Sequence, residues 1–322
     1  MKFIFTLFIF VLLSACTSLS ENQDSHTSTV LNEPVLIIDD IKLRGEFEKK
    51  MTTLFKEGTP STHEKLQQEL SRKTCKLELP SAGILNLTPA EIYQHRVKST
   101  VMVGVLYNCK SKTCKKIHSS IASGVIIHED GIVVTNYHVV DSKQTNLKGM
   151  GVMTADGHAF LVDEVLAADK VNDIAILKLK AASDLTAVPI SRDEPVGNSV
   201  TLITHPMGKF YTLTQGYVSR YHVGKDKRCI MNITADYAKG SSGGPVFNNR
   251  GDLIGLVSST FSIAYTNVPL VTDGETKSLA MKSGNDKKQA MYNGRPVILG
   301  LNHQMTVKNT VPSRAILKLI EK

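Results

Sequence analysis

The sequence predicts a mainly β protein with a helical extension before the β region and a helix after it. From residue 99 onward, short apolar runs follow one another, separated by turns and without helical patterns between them. Many short strands at such spacing are typical of β-sandwiches and β-barrels. The chain has 322 residues, 42% hydrophobic and 21% charged, which is a globular composition for one or two domains. The predicted strands are 99–107, 121–127, 131–135, 160–166, 174–179, 200–204, 211–218, 229–234, 253–258 and 297–305.

The first fifteen residues are typical of a secretory signal peptide. Lys2 precedes an apolar run over residues 3–13, which is too short for a membrane-spanning helix, and small residues lead up to Cys16. Residues 13–16 (LSAC) resemble the lipobox of bacterial lipoproteins, and this resemblance implies a lipid anchor on Cys16 and a location in the cell envelope. Thr17, rather than an aspartate, follows the cysteine and favours the outer membrane, facing the periplasm. A plain signal peptide is the alternative.

Two further segments precede the β region. Residues 16–40 are rich in Ser, Thr, Asn and Asp and indicate a flexible tether. Residues 41–97 form a helical extension, in which the apolar spacing predicts helices over 41–57 and 61–73. Thr88, Pro89 and Glu91 form a helix-start signal for a third helix that ends near Lys98. The sequence does not decide whether the helices pack on the β region or bind a partner.

The β region spans residues 98–322. Within it, residues 262–296 are polar and irregular and suggest a surface insertion, and residues 314–321 suggest a closing helix. The formal net charge of the chain is +8. The basic residues are scattered and no nucleic-acid motif occurs, so we expect a solvated basic surface and no nucleic-acid partner.

A serine among glycines is the first candidate for catalysis. Residues 240–245 (GSSGGP) place Ser242 two residues after Gly240. A serine hydroxyl needs a base to remove its proton and fixed donors to receive the oxyanion. Because glycine lacks a Cβ, Gly240 can turn its N–H toward the same point as the N–H of Ser242. An ordinary Gly-Ser turn is the alternative unless a base is found.

The candidate base is His138, which follows an apolar strand at the edge of a polar turn in residues 135–140 (TNYHVV). His205 and His303 are competing histidines. The carboxylate that orients the base must be shielded from water, and Asp173 fits because it leads directly into an apolar strand in residues 172–177 (NDIAIL). The alternatives for the orienting carboxylate are Asp141, Asp163 and Asp169.

These three motifs, in this order, resemble those of trypsin/chymotrypsin-like serine proteases, and the bacterial high-temperature-requirement proteases resemble them most. Residues 123–127, 216–219 and 251–255 are similar as well, so the resemblance covers about 98–322. It implies two six-stranded β-barrels of the chymotrypsin type with the active site in the cleft between them. It also implies the roles: Ser242 as nucleophile, His138 as general base and then acid, Asp173 as its orienter. The N–H groups of Gly240 and Ser242 would form the oxyanion hole.

The chain departs from that pattern in two places. The residues after 258 are too few for the last barrel strand, the closing helix and a PDZ domain together, so we expect no PDZ domain. Ser241 stands where enzymes with zymogen control carry an aspartate, which excludes activation through a newly cut N-terminus. For the specificity pocket, Asp236 lies six residues before Ser242, at the position of the acidic pocket base of trypsin-like enzymes. That position predicts cleavage after Lys or Arg. His205 lining the pocket and favouring an acidic side chain is the alternative.

Four cysteines remain after Cys16, and an exported protein favours their pairing. Cys109 and Cys114 bracket a polar turn between strand-like runs, which favours a local disulfide. Cys75 with Cys229 then follows by elimination. The cysteine spacings differ from the tight pairs of zinc sites, so the sequence predicts no metal site.

The predicted function is that of a serine endopeptidase of the bacterial cell envelope, acting on protein or peptide substrates without a cofactor. The Gly-x-Ser-x-Gly pattern also fits an esterase elbow, but a helix must follow that elbow, and Pro245 stands three residues after the serine. A catalytically inactive scaffold or binding protein with the same fold is the remaining alternative, because a fold alone does not fix a function. The sequence carries no sign of an oligomeric state.

Overall fold

The computed structural model describes residues 37–109, 113–114, 117–144, 146–265, 280–284, 287–292, 295–297 and 302–321. Its first part is the helical extension. A side-chain cap begins each helix: Asp39 accepts a hydrogen bond from the Lys42 N–H and Thr62 from the Lys65 N–H. Thr88 and Glu91 form the predicted reciprocal capping box. The elements are α1 (Asp40–Glu57), α2 (His63–Glu69), β1 (Cys75–Lys76) and α3 (Pro89–Arg96).

The first barrel follows and is closed in the order β2-β3-β4-β7-β6-β5. A short helix, α4, interrupts the strands directly after β4. The elements of the first barrel are β2 (Thr100–Asn108), β3 (Ile117–His128), β4 (Ile132–Thr135), α4 (Tyr137–Val140), β5 (Leu147–Met153), β6 (Ala159–Asp169) and β7 (Ile174–Leu179).

The second barrel is closed in the order β10-β16-β12-β11-β8-β9. The two closed six-stranded barrels confirm the predicted fold class. The remaining elements are β8 (Ser199–Thr204), β9 (Thr212–Val223), β10 (Cys229–Ile233), β11 (Pro245–Phe247), β12 (Leu253–Tyr265), β13 (Ala280–Gly284), β14 (Lys287–Tyr292), β15 (Arg295–Val297), β16 (Asn302–Pro312), α5 (Ser313–Leu317) and β17 (Ile320–Glu321).

The helical extension packs on the first barrel, which answers the question that the sequence left open. Phe47 and Met51 of α1 are fully buried. They lie over Gly104 of β2 and Gly151 of β5, where a Cβ atom would overlap with the two side chains. The absence of side chains at these glycines lets the helix approach the sheet closely. Leu66 of α2 is also fully buried.

The sequence of β2 does not alternate between apolar and polar residues, because both faces of the strand are covered. Val101 and Val103 pack in the same apolar cluster as Leu66 of α2. Met102 belongs to another cluster, together with Phe47 and Met51 of α1. Successive strand residues point to opposite faces, so both faces of β2 are covered and the strand is apolar throughout.

Two predictions near the C-terminus were wrong in their boundaries. The predicted insertion at 262–296 is not irregular throughout, since β12 continues to Tyr265 and pairs with β16 along its length. Strands β13, β14 and β15 form a separate three-stranded sheet, while residues 266–279 lie outside the described residues. The closing helix is shorter than 314–321. It ends at Leu317, because Ile320 and Glu321 pair in parallel with Cys75 and Lys76 of β1.

Candidate active site

His138 lies on α4, directly after β4 of the first barrel. Its side chain is 51% exposed, so the imidazole is accessible. The ring nitrogen Nδ1 lies 2.9 Å from Asp173 Oδ1 and 3.0 Å from Asp173 Oδ2. The backbone N–H of His138 also donates to Asp173 Oδ1, at 3.1 Å. The Asp173 carboxylate therefore holds both the ring and the backbone of His138. In the ring it contacts Nδ1, which leaves Nε2 without a contact to Asp173.

Asp173 stands at the entry to β7, in the left-handed backbone region with a φ of 60°. Aspartate tolerates this region better than most residues. The Asn136 side-chain amide fixes the turn by donating to the Asp173 carbonyl oxygen at 2.9 Å. The Asp173 side chain is 13% exposed. Burial acts to raise its pKa, but hydrogen bonds and charge from His138 and a hydroxyl from Ser258 outweigh it, so the pKa is lowered. The carboxylate is therefore charged at neutral pH.

The Ser242 loop lies between the two barrels. On the side of the first barrel, the Ser123 N–H donates to the Ser242 carbonyl oxygen at 2.9 Å. On the side of the second barrel, the Gly243 N–H donates to Val257 O and the Val257 N–H donates to Gly244 O. Gly243 has a φ of 77°, and a Cβ there would overlap with Thr135 and Ser123. A glycine is therefore required beside the serine, and the loop is held by both barrels.

Ser258 links the carboxylate to the serine loop. Its hydroxyl donates to Asp173 Oδ2 at 2.8 Å. Ser258 directly follows Val257, which is bonded to both glycines after Ser242. The structure thus brings His138, Asp173 and the Ser242 loop together through a short chain of hydrogen bonds. Sequence reasoning missed Ser258, since a serine near the middle of a strand carries no pattern of its own.

Two backbone N–H groups beside Ser242 have no acceptor among the described residues. Gly240 has a φ of 98°, a conformation that favours glycine. Within the described residues, neither the Gly240 N–H nor the Ser242 N–H donates a hydrogen bond, so both remain available. The Ser242 side chain is half-buried and its hydroxyl makes no hydrogen bond to a described residue. The adjacent Ser241 is different: it is fully buried and its hydroxyl donates to Thr204 Oγ1 at 3.0 Å.

Two of the three alternative orienting carboxylates, Asp141 and Asp169, are engaged elsewhere. Asp141 accepts hydrogen bonds from Lys143 and Gln67. Asp169 accepts two from Asn172, as in an Asx turn. Within the described part of the chain, no hydrogen bond joins Asp141, Asp163 or Asp169 to His138. The side chain of His303 lies outside the described residues.

His205 does not line a substrate pocket, which corrects the alternative assignment made from the sequence. It is fully buried, and its ring packs edge-on against Phe210 and Tyr211. The Tyr211 N–H donates to its Nδ1 at 3.1 Å. Burial lowers the pKa of His205 to about 4, so the ring is neutral at pH 7. It supports the loop from behind, because its carbonyl oxygen lies against Gly240.

Asp236, which the sequence predicts as the acidic base of the specificity pocket, lies at the surface. Its side chain is 87% exposed and forms an ion pair with Lys308, whose side chain is 9% exposed. The Lys308 ammonium also lies 5.7 Å from the centre of the Tyr237 ring. The negative charge of Asp236 thus has a partner within the chain, which argues against the predicted attraction of Lys or Arg side chains. That preference stays a prediction.

Four cysteines lie within the described residues, and no disulfide joins them there. Cys75, Cys109, Cys114 and Cys229 are free and half-buried. The two predicted disulfides are therefore not seen, and they stay predictions. Reasoning from cysteine spacing alone predicted no metal site, but the structure places His118 beside two of them. One ligand atom each from Cys109, Cys114 and His118 lies within 4.8 Å of the others. The prediction of no metal site considered only the cysteine spacings and therefore did not include His118.

The predicted signal segment, the tether up to residue 36 and the lipidation site Cys16 lie outside the described residues. Among the residues that the structure covers, no helix has the length and apolar character needed to cross a membrane.

Comparisons with known proteins agree with this geometry. Residues 122–256 match the trypsin-like peptidase domain. Serine protease HTRA1 of Xenopus tropicalis is 32% identical over 151 residues, which are 44% of this chain and 32% of that protein. The "Probable periplasmic serine endoprotease DegP-like" of Rickettsia prowazekii is 34% identical over 167 residues, 49% of this chain and 31% of that protein. The chain thus spans about a third of the length of these relatives.

A solved structure described as "HtrA-type protease AlgW with decapeptide" has a similar fold. Its TM-score is 0.51 at 16% identity, over 72% of this chain and 66% of that one. The two closed barrels, the matched domain and the relatives agree. Residues 122–256 are therefore similar to trypsin-like peptidase domains, and this part of the chain is similar in sequence to HtrA- and DegP-type serine proteases.

Proposed function

We propose that the chain is a serine endopeptidase that cleaves peptide bonds through an acyl-enzyme. Ser242 Oγ attacks the carbonyl carbon of the substrate while His138 Nε2 takes its proton. The same nitrogen then returns the proton to the leaving amine, and a water molecule hydrolyses the ester in the second half of the reaction. The N–H groups of Gly240 and Ser242 receive the oxyanion. Apart from the substrate and this water molecule, the proposed reaction uses only side chains and backbone groups of this chain.

The observation that carries the proposal is the contact between His138 and Asp173. With Nδ1 held at 2.9 Å and 3.0 Å by the two carboxylate oxygens, the proton of the neutral imidazole belongs on Nδ1. Nε2 is then the basic nitrogen, and the half-exposed ring presents it to solvent and substrate. Asp173, charged and shielded, stabilises the imidazolium that forms during the attack. A carboxylate with a purely structural role would not need to contact His138 Nδ1 with both of its oxygens.

The nucleophile is tested by labelling the purified chain with a fluorophosphonate probe. We expect the wild-type protein to react and Ser242→Ala to abolish the labelling. Ser219→Ala is the matched control, since Ser219 lies exposed on β9, and this variant should label like the wild type. Labelling that persists in Ser242→Ala would assign the nucleophile elsewhere. A well-folded wild type that does not react would favour an inactive scaffold.

The substrates follow from the domain. We propose protein or peptide substrates, consistent with the endoprotease named among the relatives and with the solved neighbour described with a decapeptide. We expect the full chain to cleave an unfolded protein substrate and Ser242→Ala to leave it intact. Equal cleavage by both preparations would point to a contaminating protease.

For the location, we propose the bacterial cell envelope with a lipid anchor on Cys16. The apolar run before the LSAC motif supports this, as does the word "periplasmic" in the name of one relative. A diacylglyceryl group adds apolar surface that holds a protein on a bilayer. Cys16→Ser should move the protein from the membrane to the soluble fraction. Density-gradient separation of inner and outer membranes tests the outer-membrane assignment. A Cys16→Ser variant that stays in the membrane fraction would contradict the anchor.

A further inference from the structure

The tip of the hairpin between β2 and β3 collects two thiols and an imidazole. Cys109 directly follows the last residue of β2, and His118 is the second residue of β3, paired across the ladder with Tyr107. Cys114 lies between them, and its Sγ atom is 3.2 Å from His118 Nε2. The two cysteines and the histidine all belong to the described residues, and each is half-buried.

The separations of these atoms can be compared with those of a tetrahedral metal site. With a Zn–S distance of about 2.3 Å and a Zn–N distance of about 2.0 Å, a bound sulfur and nitrogen lie about 3.5 Å apart and two bound sulfurs about 3.8 Å. The distance between Cys114 Sγ and His118 Nε2 is 3.2 Å, a little shorter than the first of these values. All three ligand atoms fall within 4.8 Å of one another, so they can close on one ion with small adjustments.

A carboxylate supports the histidine from behind. The Nδ1 atom of His118 lies 3.9 Å from Glu48 Oε2, while Nε2 faces the thiols. Glu48 is itself held, because its Oε1 accepts hydrogen bonds from the Ser119 N–H and hydroxyl at 3.2 Å and 3.1 Å. Arg44 lies 3.8 Å from the same oxygen. Histidines that bind metals characteristically turn their other nitrogen toward such a carboxylate, which fixes the ring and makes it more basic.

We propose that Cys109, Cys114 and His118 bind a zinc ion, with Glu48 as the carboxylate that orients His118. Two thiolates and one imidazole form a ligand set that zinc favours, and the fourth position is open to a water molecule. Binding replaces the two thiol protons, which pass to solvent, so the apparent affinity rises with pH. The ion would fix the end of the hairpin against α1, which carries Glu48. The site is separate from the proposed catalytic residues.

A disulfide between Cys109 and Cys114 would use up both thiols, so the predicted bridge and the metal exclude each other. The test therefore begins with the protein as isolated from the envelope of expressing cells. Free thiols are alkylated, and the mass of the peptide containing both cysteines is measured. A disulfide there, seen as two missing hydrogens and no alkyl groups, would overturn the proposal. Two alkylated thiols after removal of metal support it.

The metal is then measured directly with zinc and with cobalt as a spectroscopic substitute. The reduced, metal-free full chain should bind one equivalent of zinc, and cobalt should give thiolate charge-transfer and tetrahedral absorption bands. Cys114→Ser and His118→Gln should each weaken binding by at least tenfold. Glu48→Gln should weaken it by about 10–100-fold while keeping the cobalt bands, as expected of a residue that orients a ligand.

Cys229→Ser is the matched control, since this half-buried cysteine lies on β10 and makes no contact with the cluster. Its affinity for zinc should equal that of the wild type. Circular dichroism establishes that each variant is folded. Wild-type binding no stronger than that of the Cys109→Ser/Cys114→Ser double variant would refute the site, and so would a cobalt spectrum without thiolate bands.

Discussion

The hydroxyl of Ser258 donates to Asp173 Oδ2 at 2.8 Å, while the same carboxylate holds His138 Nδ1 through both of its oxygens. Ser258 belongs to the second barrel and Asp173 to the first. The orientation of the proposed base therefore depends on a contact across the two barrels. A change that separates the two barrels should therefore also loosen His138.

Asp173→Asn should lower kcat by about 10⁴-fold, the loss typical of the Ser-His-Asp template when the histidine takes the wrong tautomer. The mutant amide can donate to Nδ1, which would leave the proton on Nε2.

Ser258→Ala should lower kcat/KM by only about tenfold, since one hydrogen bond to a charged group is worth about 1.5–3 kcal/mol and only part of it acts on the transition state. Steady-state kinetics on a peptide substrate measures both. An unchanged rate in Asp173→Asn would reject its assignment.

Phe47→Ala should destabilise the protein by about 3–5 kcal/mol, because a fully buried aromatic side chain is replaced by a cavity over Gly104. Ile41→Ala is the control on the same helix. Ile41 is 87% exposed, so its change should stay within about 0.5 kcal/mol. Urea unfolding of both variants measures the difference. Equal stabilities would mean that α1 does not pack on the barrel in solution.

The stability of the protein should fall as the pH decreases from about 6.5 to about 4. Burial lowers the pKa of His205 from the ordinary value of 6.5 to about 4 in the folded state. The unfolded chain therefore binds this proton first, and stability that is complete above the unfolded pKa is lost on acidification. The loss amounts to about 3 kcal/mol, since each unit of difference is worth about 1.4 kcal/mol.

The matching variant is His205→Gln, whose amide oxygen can still accept from the Tyr211 N–H. Urea unfolding at several pH values between 4 and 7 should show a flatter pH dependence than the wild type, because the titrating group is gone. Other groups, including His63, whose burial lowers its pKa, contribute equally to both proteins. Identical pH profiles would show that His205 is not the source.

Cleavage-site profiling on a mixed peptide library should show no preference for Lys or Arg that depends on Asp236. Its carboxylate is exposed and paired with Lys308, so no uncompensated charge awaits a basic side chain. Asp236→Ala should leave the cleavage pattern unchanged. A basic preference in the wild type that vanishes in this variant would restore Asp236 as the base of the pocket.

The parts of the fold and of the candidate site that depend on local motifs could be predicted from the sequence. The motifs around His138, Asp173 and Ser242 resemble those of trypsin-like serine proteases, and this resemblance predicted the two barrels. The roles that it implies for the three residues stay predictions. The structure then places His138 against Asp173 through a turn that Asn136 fixes. What the sequence could not supply were contacts between distant segments. Ser258 and Glu48 have no local signal, because each acts on a residue far away in the chain.

The predicted boundaries of the C-terminal elements were wrong because they, too, depend on contacts between distant segments. The polar residues of β12 beyond Ser258 suggest a loop when considered alone, yet pairing with β16 extends the strand to Tyr265. Asp236 was assigned to the pocket by its distance from Ser242 in sequence, and His205 was the alternative. Their actual surroundings, an ion pair for one and an aromatic packing site for the other, depend on the tertiary fold.

The parallel pairing of Cys75–Lys76 with Ile320–Glu321 has a consequence for the order in which the protein can fold. β1 stands before both barrels in the chain, and its partner strand is the last element described. Contacts between such distant segments form late and slow the folding of a domain. The extension therefore cannot complete its pairing with β17 until residues 320–321 have been synthesised. The contact between β1 and β17 is thus a late step of folding, whatever the order in which the two barrels form.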